Sequence, residues 1–143
     1  MQLSKICNSS SNISIRLGGK PDLIQLAELY RSAGWMTQQD PADSLQKNLN
    51  GSYAWCTAWD GETLVGFMRA LSDGVSDAYM LDLIVRNDYR KLGIGRRIVH
   101  ALAGHLKEQG LEWIVCIGVP GSEKFYGKTD AKIMDGFTPY RFY

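Results

Sequence analysis

The stretch Val85-Arg86-Asn87-Asp88-Tyr89-Arg90-Lys91-Leu92-Gly93-Ile94-Gly95 decides how this chain folds. Before it, residues 79–85 are an apolar run of strand length and composition. After it, Ile94, Ile98, Ala101, Leu102 and Leu106 recur at helical spacing until Gly110 stops the pattern. A strand that turns through glycines and cations into a helix start has the outline of a phosphate-binding site. The first N–H groups of a helix lack intrahelical partners, and the helix dipole puts about half a positive charge at that end. Glycine lets backbone approach an anion with no Cβ in between. Arg90, Lys91, Arg96 and Arg97 add charge around the turn.

Spacing excludes two common phosphate loops. No Gly-x-x-x-x-Gly-Lys-Ser/Thr string occurs, and Gly93-Ile94-Gly95 is followed by Ile98 where a dinucleotide turn needs a third glycine. What remains is Arg-x-x-Gly-x-Gly, preceded by Val85 and Tyr89, with Phe125-Tyr126 downstream. In these residues the chain resembles the GNAT family of N-acetyltransferases, whose acyl-CoA pyrophosphate loop has this form. Asn87 stands where many members carry proline. The resemblance implies acetyl-CoA as acetyl donor, with coenzyme A as product. It makes Arg90, Lys91, Leu92, Gly93, Ile94, Gly95 and Arg96 the cradle for the coenzyme. It also implies that the strand before the loop splays from its neighbour at a bulge. Main-chain groups of Leu83, Ile84 and Val85 then hold the pantetheine arm and the thioester oxygen.

Outside the loop, hydrophobic periodicity sets the rest. Residues 13–17 alternate as a first strand, Pro21 opens a helix carrying Leu23, Leu26, Ala27 and Tyr30, and a second helix is predicted over residues 40–48. Residues 53–59 and 63–71 read as a hairpin about Asp60-Gly61-Glu62, with Gly66 marking a bulge or a close backbone approach. Residues 112–119 form a further strand, residues 122–128 a short helix, and residues 137–143 a final strand. The expected order is β-α-α-β-β-β-α-β-α-β. That is an α/β (α+β) domain with a mixed, mostly antiparallel sheet flanked by helices. Residues 1–12 are a polar, serine-rich tail, and residues 13–143 form the domain.

The 143 residues suffice for one core, and 45% hydrophobic with 22% charged residues is ordinary for a globular chain. A net charge of +1 gives no electrostatic reason to expect nucleic acid or a membrane surface. Cys7, Cys56 and Cys116 are odd in number and far apart, which favours reduced thiols and a cytoplasmic setting over disulfides or zinc. No run reaches the ~18–20 apolar residues of a membrane span, and the N-terminus has no signal-peptide core.

By resemblance, Tyr126 is the general acid that reprotonates the leaving thiolate. A phenol is chemically suited to that step. Asp82 is the candidate base, the acid within residues 79–85, with a strand residue facing solvent or pairing with an arginine as the alternative. Trp35, beside Tyr30 and Met36 at the junction of the first two helices, is the candidate acceptor-binding residue. His100 and His105 lack ligand spacing, so no metal is expected. Gly136-Phe137 follows Phe125-Tyr126 later than is usual in the family. The intervening residues 129–135 are an expected elaboration near the acceptor. The acceptor is an amine, of a small molecule or exposed on a protein. A homodimer is compatible with the resemblance. A non-catalytic acyl-CoA sensor on the same fold is the alternative function.

Overall fold

The computed structural model describes residues 12–143, so the expected tail at residues 1–12, Asn12 apart, and Cys7 lie outside the described residues. Strand β1 (Ile13–Leu17) leads to α1 (Leu23–Ser32) and then, past a 3-10 turn at Ala42–Ser44, to α2 (Leu45–Asn50). Strands β2 (Ala54–Asp60), β3 (Thr63–Ser72) and β4 (Asp77–Val85) follow, then α3 (Ile94–Glu108), β5 (Trp113–Cys116) and α4 (Glu123–Tyr126). The sheet order is β1-β2-β3-β4-β5; β4–β5 is parallel and the other pairs are antiparallel.

Local chemistry explains the boundaries that matter for the site. Asp22 caps α1 by accepting the Ile24 N–H at 2.8 Å. Gly34, at φ 78°, turns the chain out of α1, and the Trp35 N–H closes on the Tyr30 carbonyl at 3.0 Å. That turn puts Trp35 beside Tyr30. The second helix starts later than residue 40 because Pro41 holds an extended conformation and the first turn is 3-10. Asp60 pairs with Thr63, so Gly61 and Glu62 make the tight hairpin loop.

Two apolar clusters sandwich the sheet. Ile94, Ile98, Leu102 and Leu106 of α3 pack on Cys56, Ala58, Val65, Met68, Ala78 and Met80. Leu26, Leu29 and Tyr30 of α1, with Leu45 and Leu49, pack on Leu64, Phe67 and Ile84. Burying each large apolar side chain stabilises the fold by roughly 1.5–3 kcal/mol. Gly66 serves both expected purposes. The β2–β3 register shifts beside it, and a Cβ there would stand 2.6 Å from Ile98 Cδ1.

The expected last strand does not form. Residues 137–143 are exposed coil, with Phe142 95% and Tyr140 83% accessible. A strand needs a continuous ladder partner. The neighbouring edge, β5, is only four residues long, and Pro139 has no N–H to donate. The observed order is therefore β-α-α-β-β-β-α-β-α. Among the described residues no helix is long and apolar enough to cross a membrane.

Candidate active site

The β4–β5 ladder begins at Asp77 with Trp113 and ends at Met80 with Cys116, while β4 continues to Val85. β5 ends with the ladder at Cys116, so the outer edge of residues 81–85 has no ladder partner and the sheet opens there in a splay. A bulge accompanies the separation. Arg69 pairs with Leu81 and Phe67 with Ile84, so Met68 alone stands opposite Asp82 and Leu83. The bulge inverts the side-chain alternation of β4. Ala78 and Met80 belong to the cluster under α3, whereas Ile84 belongs to the cluster under α1.

Asp82 takes up this inversion at φ 59°, a left-handed conformation for a residue with a side chain. Such a conformation costs roughly 1–2 kcal/mol for most residues and less for aspartate. Its Oδ2 accepts the Tyr30 hydroxyl at 2.7 Å and Arg69 Nε at 2.6 Å, with both side chains of the ion pair under 20% exposed. Hydrogen bonds to a charged group are worth about 1.5–3 kcal/mol each, enough to offset the strain. Burial, then the bond to Asp82, push the Tyr30 phenol well above its ordinary value. Asp82 thus adopts the arginine pairing that the sequence held as the alternative to a base. Both donors fall on Oδ2.

Asp82 also lines a cleft of about 420 Å³ with Tyr30, Trp35, Met36, Asp40 and Asn48. Trp35 stands edge-on to Tyr30, ring centroids 5.7 Å apart, and is about half exposed. Asp40 accepts the Thr37 N–H at 2.7 Å, and that bond holds its carboxyl below the usual range. Residues 129–135 do not line this cleft. They lie on the surface, where Asp130 meets His100 of α3 at 3.4 Å.

From Val85 the chain enters a 3-10 turn at Asn87–Tyr89, then Lys91 at φ 63° and Gly93 at φ 77°, and so into α3. Arg90 folds back, its Nε donating to the Val85 carbonyl at 3.2 Å. Lys91, Gly93 and Arg96 are exposed, Leu92 and Gly95 are half-buried, and Ile94 is buried as the first core residue of the helix. Two left-handed residues before a helix N-terminus turn successive N–H groups toward one side, which suits an anion. The residues present therefore fit a diphosphate.

On the other side of the splay, α4 brings Tyr126 to Cys116, the last residue of the β5 ladder. Burial first, and then the neighbouring Cys116 thiol, push the Tyr126 phenol up to about 12. Burial raises the Cys116 thiol as well. Phe125 stands edge-on to Tyr126 at 4.9 Å and packs, with Leu83, Val85, Leu92 and Cys116, against the core under α3. Sequence reasoning missed Arg69. Its signal was a lone cation in an otherwise apolar strand two elements from the loop.

The acetyltransferase (GNAT) family profile matches residues 20–129. An uncharacterized N-acetyltransferase, ycf52-like, from Prochlorococcus marinus is 30% identical over 109 residues, 73% of this chain. The chain spans 59% of the length of that relative. Among solved structures, an acetyltransferase of the GNAT family from Streptococcus pneumoniae is 26% identical, with a TM-score of 0.74 over 92% of this chain and 97% of that one. An aminoglycoside acetyltransferase from an uncultured soil metagenomic sample, in complex with sisomicin, has a TM-score of 0.73 at 20% identity, over 93% of this chain and 97% of that one. At that identity the likeness speaks to the fold. The match to the family over most of the chain agrees with the splayed strands and the turn before α3, and the chain belongs to the GNAT acetyltransferase family.

Proposed function

We propose that this protein moves an acetyl group from acetyl-CoA to a primary amine by direct transfer. The observation that carries the reading is the ladder ending at Met80 and Cys116 while β4 runs on into the left-handed turn before α3. In this reading the pyrophosphate sits on the main chain of residues 91–96, with Arg90 and Lys91 beside it. The open edge at Leu83, Ile84 and Val85 donates to the thioester oxygen, where one well-aimed amide is worth about 3 kcal/mol. The amine nitrogen attacks the thioester carbonyl, the C–N bond forms, the C–S bond breaks, and Tyr126 protonates the departing thiolate. Water removes the amine's proton, and Asp82 serves as the partner of Arg69 and Tyr30.

The acceptor enters the cleft lined by Trp35. Its volume falls within the ordinary range for small-molecule sites. Trp35 and Met36 supply an apolar wall, and Asp40 supplies a carboxylate. That combination supports an amine of modest size with an apolar or aromatic body, as a small molecule or an exposed protein amine. The free thiols Cys56 and Cys116 support a cytoplasmic setting.

Thiol release from acetyl-CoA, followed over a panel of amines, tests the reading. Acetylated product with an arylalkyl or similar amine is expected. Tight coenzyme A binding with no release for any amine would instead favour an acyl-CoA sensor. No binding at all would remove both.

A further inference from the structure

We propose that Tyr30, Asp82 and Arg69 form a clamp in which the Asp82 carboxylate is a positioning group. It fixes the β4 bulge, and so the main chain at Leu83, Ile84 and Val85, relative to the acceptor cleft. The proposal rests on the acetyl-transfer reading above.

Three elements converge on one oxygen atom. Asp82 Oδ2 receives the Tyr30 hydroxyl from α1 and Arg69 Nε from β3, at 2.7 and 2.6 Å. Arg69 extends the connection, with its Nη1 at 3.5 Å from the Asn48 carbonyl and 3.4 Å from Ser52 Oγ, at the end of α2. A cation there also complements the helix dipole. The carboxylate therefore ties α1 directly, and the end of α2 through Arg69, to the strand edge that borders the splay.

The backbone shows why that tie is needed. Glycine satisfies a positive φ without strain, yet position 82 at φ 59° carries a side chain, and one oxygen of that side chain accepts from two other elements. A sheet can absorb a bulge by slipping one residue, and a one-residue slip sends every following side chain to the opposite face. In β4 such a slip would take Ile84 out of the cluster under α1 and Leu83 and Val85 out of the cluster under α3. Asp82 is anchored on the α1 side and lines the acceptor cleft, while the next residue belongs to the edge beside the splay. The clamp thus sets the register between the two compartments that acetyl transfer must bring together. Arg69 balances the charge of Asp82, and Asp40, the other acid lining the cleft, is held by Thr37.

The test compares Asp82→Asn, Tyr30→Phe, Arg69→Gln and the Tyr30→Phe/Asp82→Asn double variant. Turnover per folded molecule, KM for acetyl-CoA, the pH profile and amide hydrogen exchange at residues 83–85 are measured. Each single variant is expected to lower kcat by about tenfold while KM stays within about threefold, the pattern of an interaction realised in the transition state. The shape of the pH profile is expected to persist, and exchange at residues 83–85 to quicken. The double variant should be no worse than its worse parent, because the groups act as one unit. Tyr30→Phe removes one hydroxyl and keeps the ring, so it carries the test if Asp82→Asn fails to fold. Loss of the acidic limb in Asp82→Asn, with formate restoring turnover in Asp82→Ala, would make Asp82 a base and overturn the clamp. Normal turnover and unchanged exchange in Tyr30→Phe and Arg69→Gln would overturn it too. A wild-type protein that acetylates no amine sinks the acetyl-transfer reading, while the exchange comparison still decides the clamp.

Discussion

The ring of Phe125 lies directly on Gly95: a Cβ built on that glycine would stand 3.1 Å from Phe125 Cε2 and 3.3 Å from Cζ. The contact docks α4 on the first turn of α3, and α4 in turn delivers Tyr126 to Cys116. The second glycine of the loop thus accommodates the protein's own aromatic ring.

Gly95→Ala is therefore expected to lower stability. At 3.1 Å the ring must give way by a few tenths of an ångström, and overpacking of this kind costs about 1–3 kcal/mol. Trimming the ring in Gly95→Ala/Phe125→Leu should recover part of the loss. Thermal or urea unfolding of the two variants and of Phe125→Leu closes the cycle. A Gly95→Ala protein stabilised by the full ~1 kcal/mol that alanine brings to an open helix position would mean that the ring does not press on the helix.

Gly93 behaves differently, because nothing lies within 4 Å of the Cβ position and only its φ of 77° matters. Gly93→Ala should cost roughly 1–2 kcal/mol in backbone strain, and Gly93→Asn less, since asparagine tolerates the left-handed region. Gly93→Asp has nearly the shape of Gly93→Asn and adds a negative charge. Calorimetry is expected to show coenzyme A binding weakened more than about tenfold in the aspartate variant relative to the asparagine one, a difference of about 1.4 kcal/mol. Equal affinities would remove the diphosphate from this turn.

Arg90→Ala should raise the coenzyme's dissociation constant and flatten its dependence on salt, because an exposed cation attracts a polyanion through a screened interaction. Titrations of coenzyme A and dephospho-coenzyme A at two salt concentrations report which phosphate is involved. An unchanged affinity and salt response would leave Arg90 as a cap on the Val85 carbonyl, the contact it makes at 3.2 Å.

Much of this fold was legible because its signals are local. Alternation at residues 13–17, the glycine in the β2–β3 hairpin and the apolar stripe from Ile94 to Leu106 each follow from neighbours a few residues apart. The features that were missed depend on partners far away in sequence. Residues 137–143 have strand-like composition, but composition cannot reveal whether an edge exists to receive them. The clamp joins residues 30, 69 and 82, and no window of sequence holds all three. Asp82 itself was noticed. Its role depends on an arginine thirteen positions away, placed opposite by a bulge whose register only the sheet determines.

Cys116 provides a test of cofactor binding at the splay that needs no catalysis. It ends the β5 ladder at the mouth of the splay and is half-buried, whereas Cys56 is fully buried, with its thiol pushed up to about 12 by burial. Alkylation followed by peptide mass spectrometry should modify Cys116 well before Cys56, because the thiolate is the reactive form. Coenzyme A should slow labelling of Cys116 specifically. Labelling indifferent to coenzyme A would place the bound cofactor elsewhere.

The proposed role of Tyr126 as proton donor is tested by Tyr126→Phe, which keeps the ring beside Phe125 and removes only the hydroxyl. Turnover with a true acceptor is expected to fall on the order of 10²-fold, with coenzyme A affinity nearly unchanged. Burial keeps this phenol protonated well past neutral pH, at about 12, and it lifts the neighbouring Cys116 thiol in the same direction. The sign for stability follows from linkage. A phenol whose folded value exceeds its ordinary one contributes stability that is fully present below about pH 10. That contribution is lost as pH rises from there through about 12. Tyr126→Phe should therefore flatten the alkaline decline of stability in that window, by an amount moderated because the group is only half-buried. Wild-type turnover should likewise hold through mildly alkaline pH, since the acid form persists. Unchanged turnover in Tyr126→Phe would assign the proton to solvent and leave Tyr126 as a packing residue against Cys116.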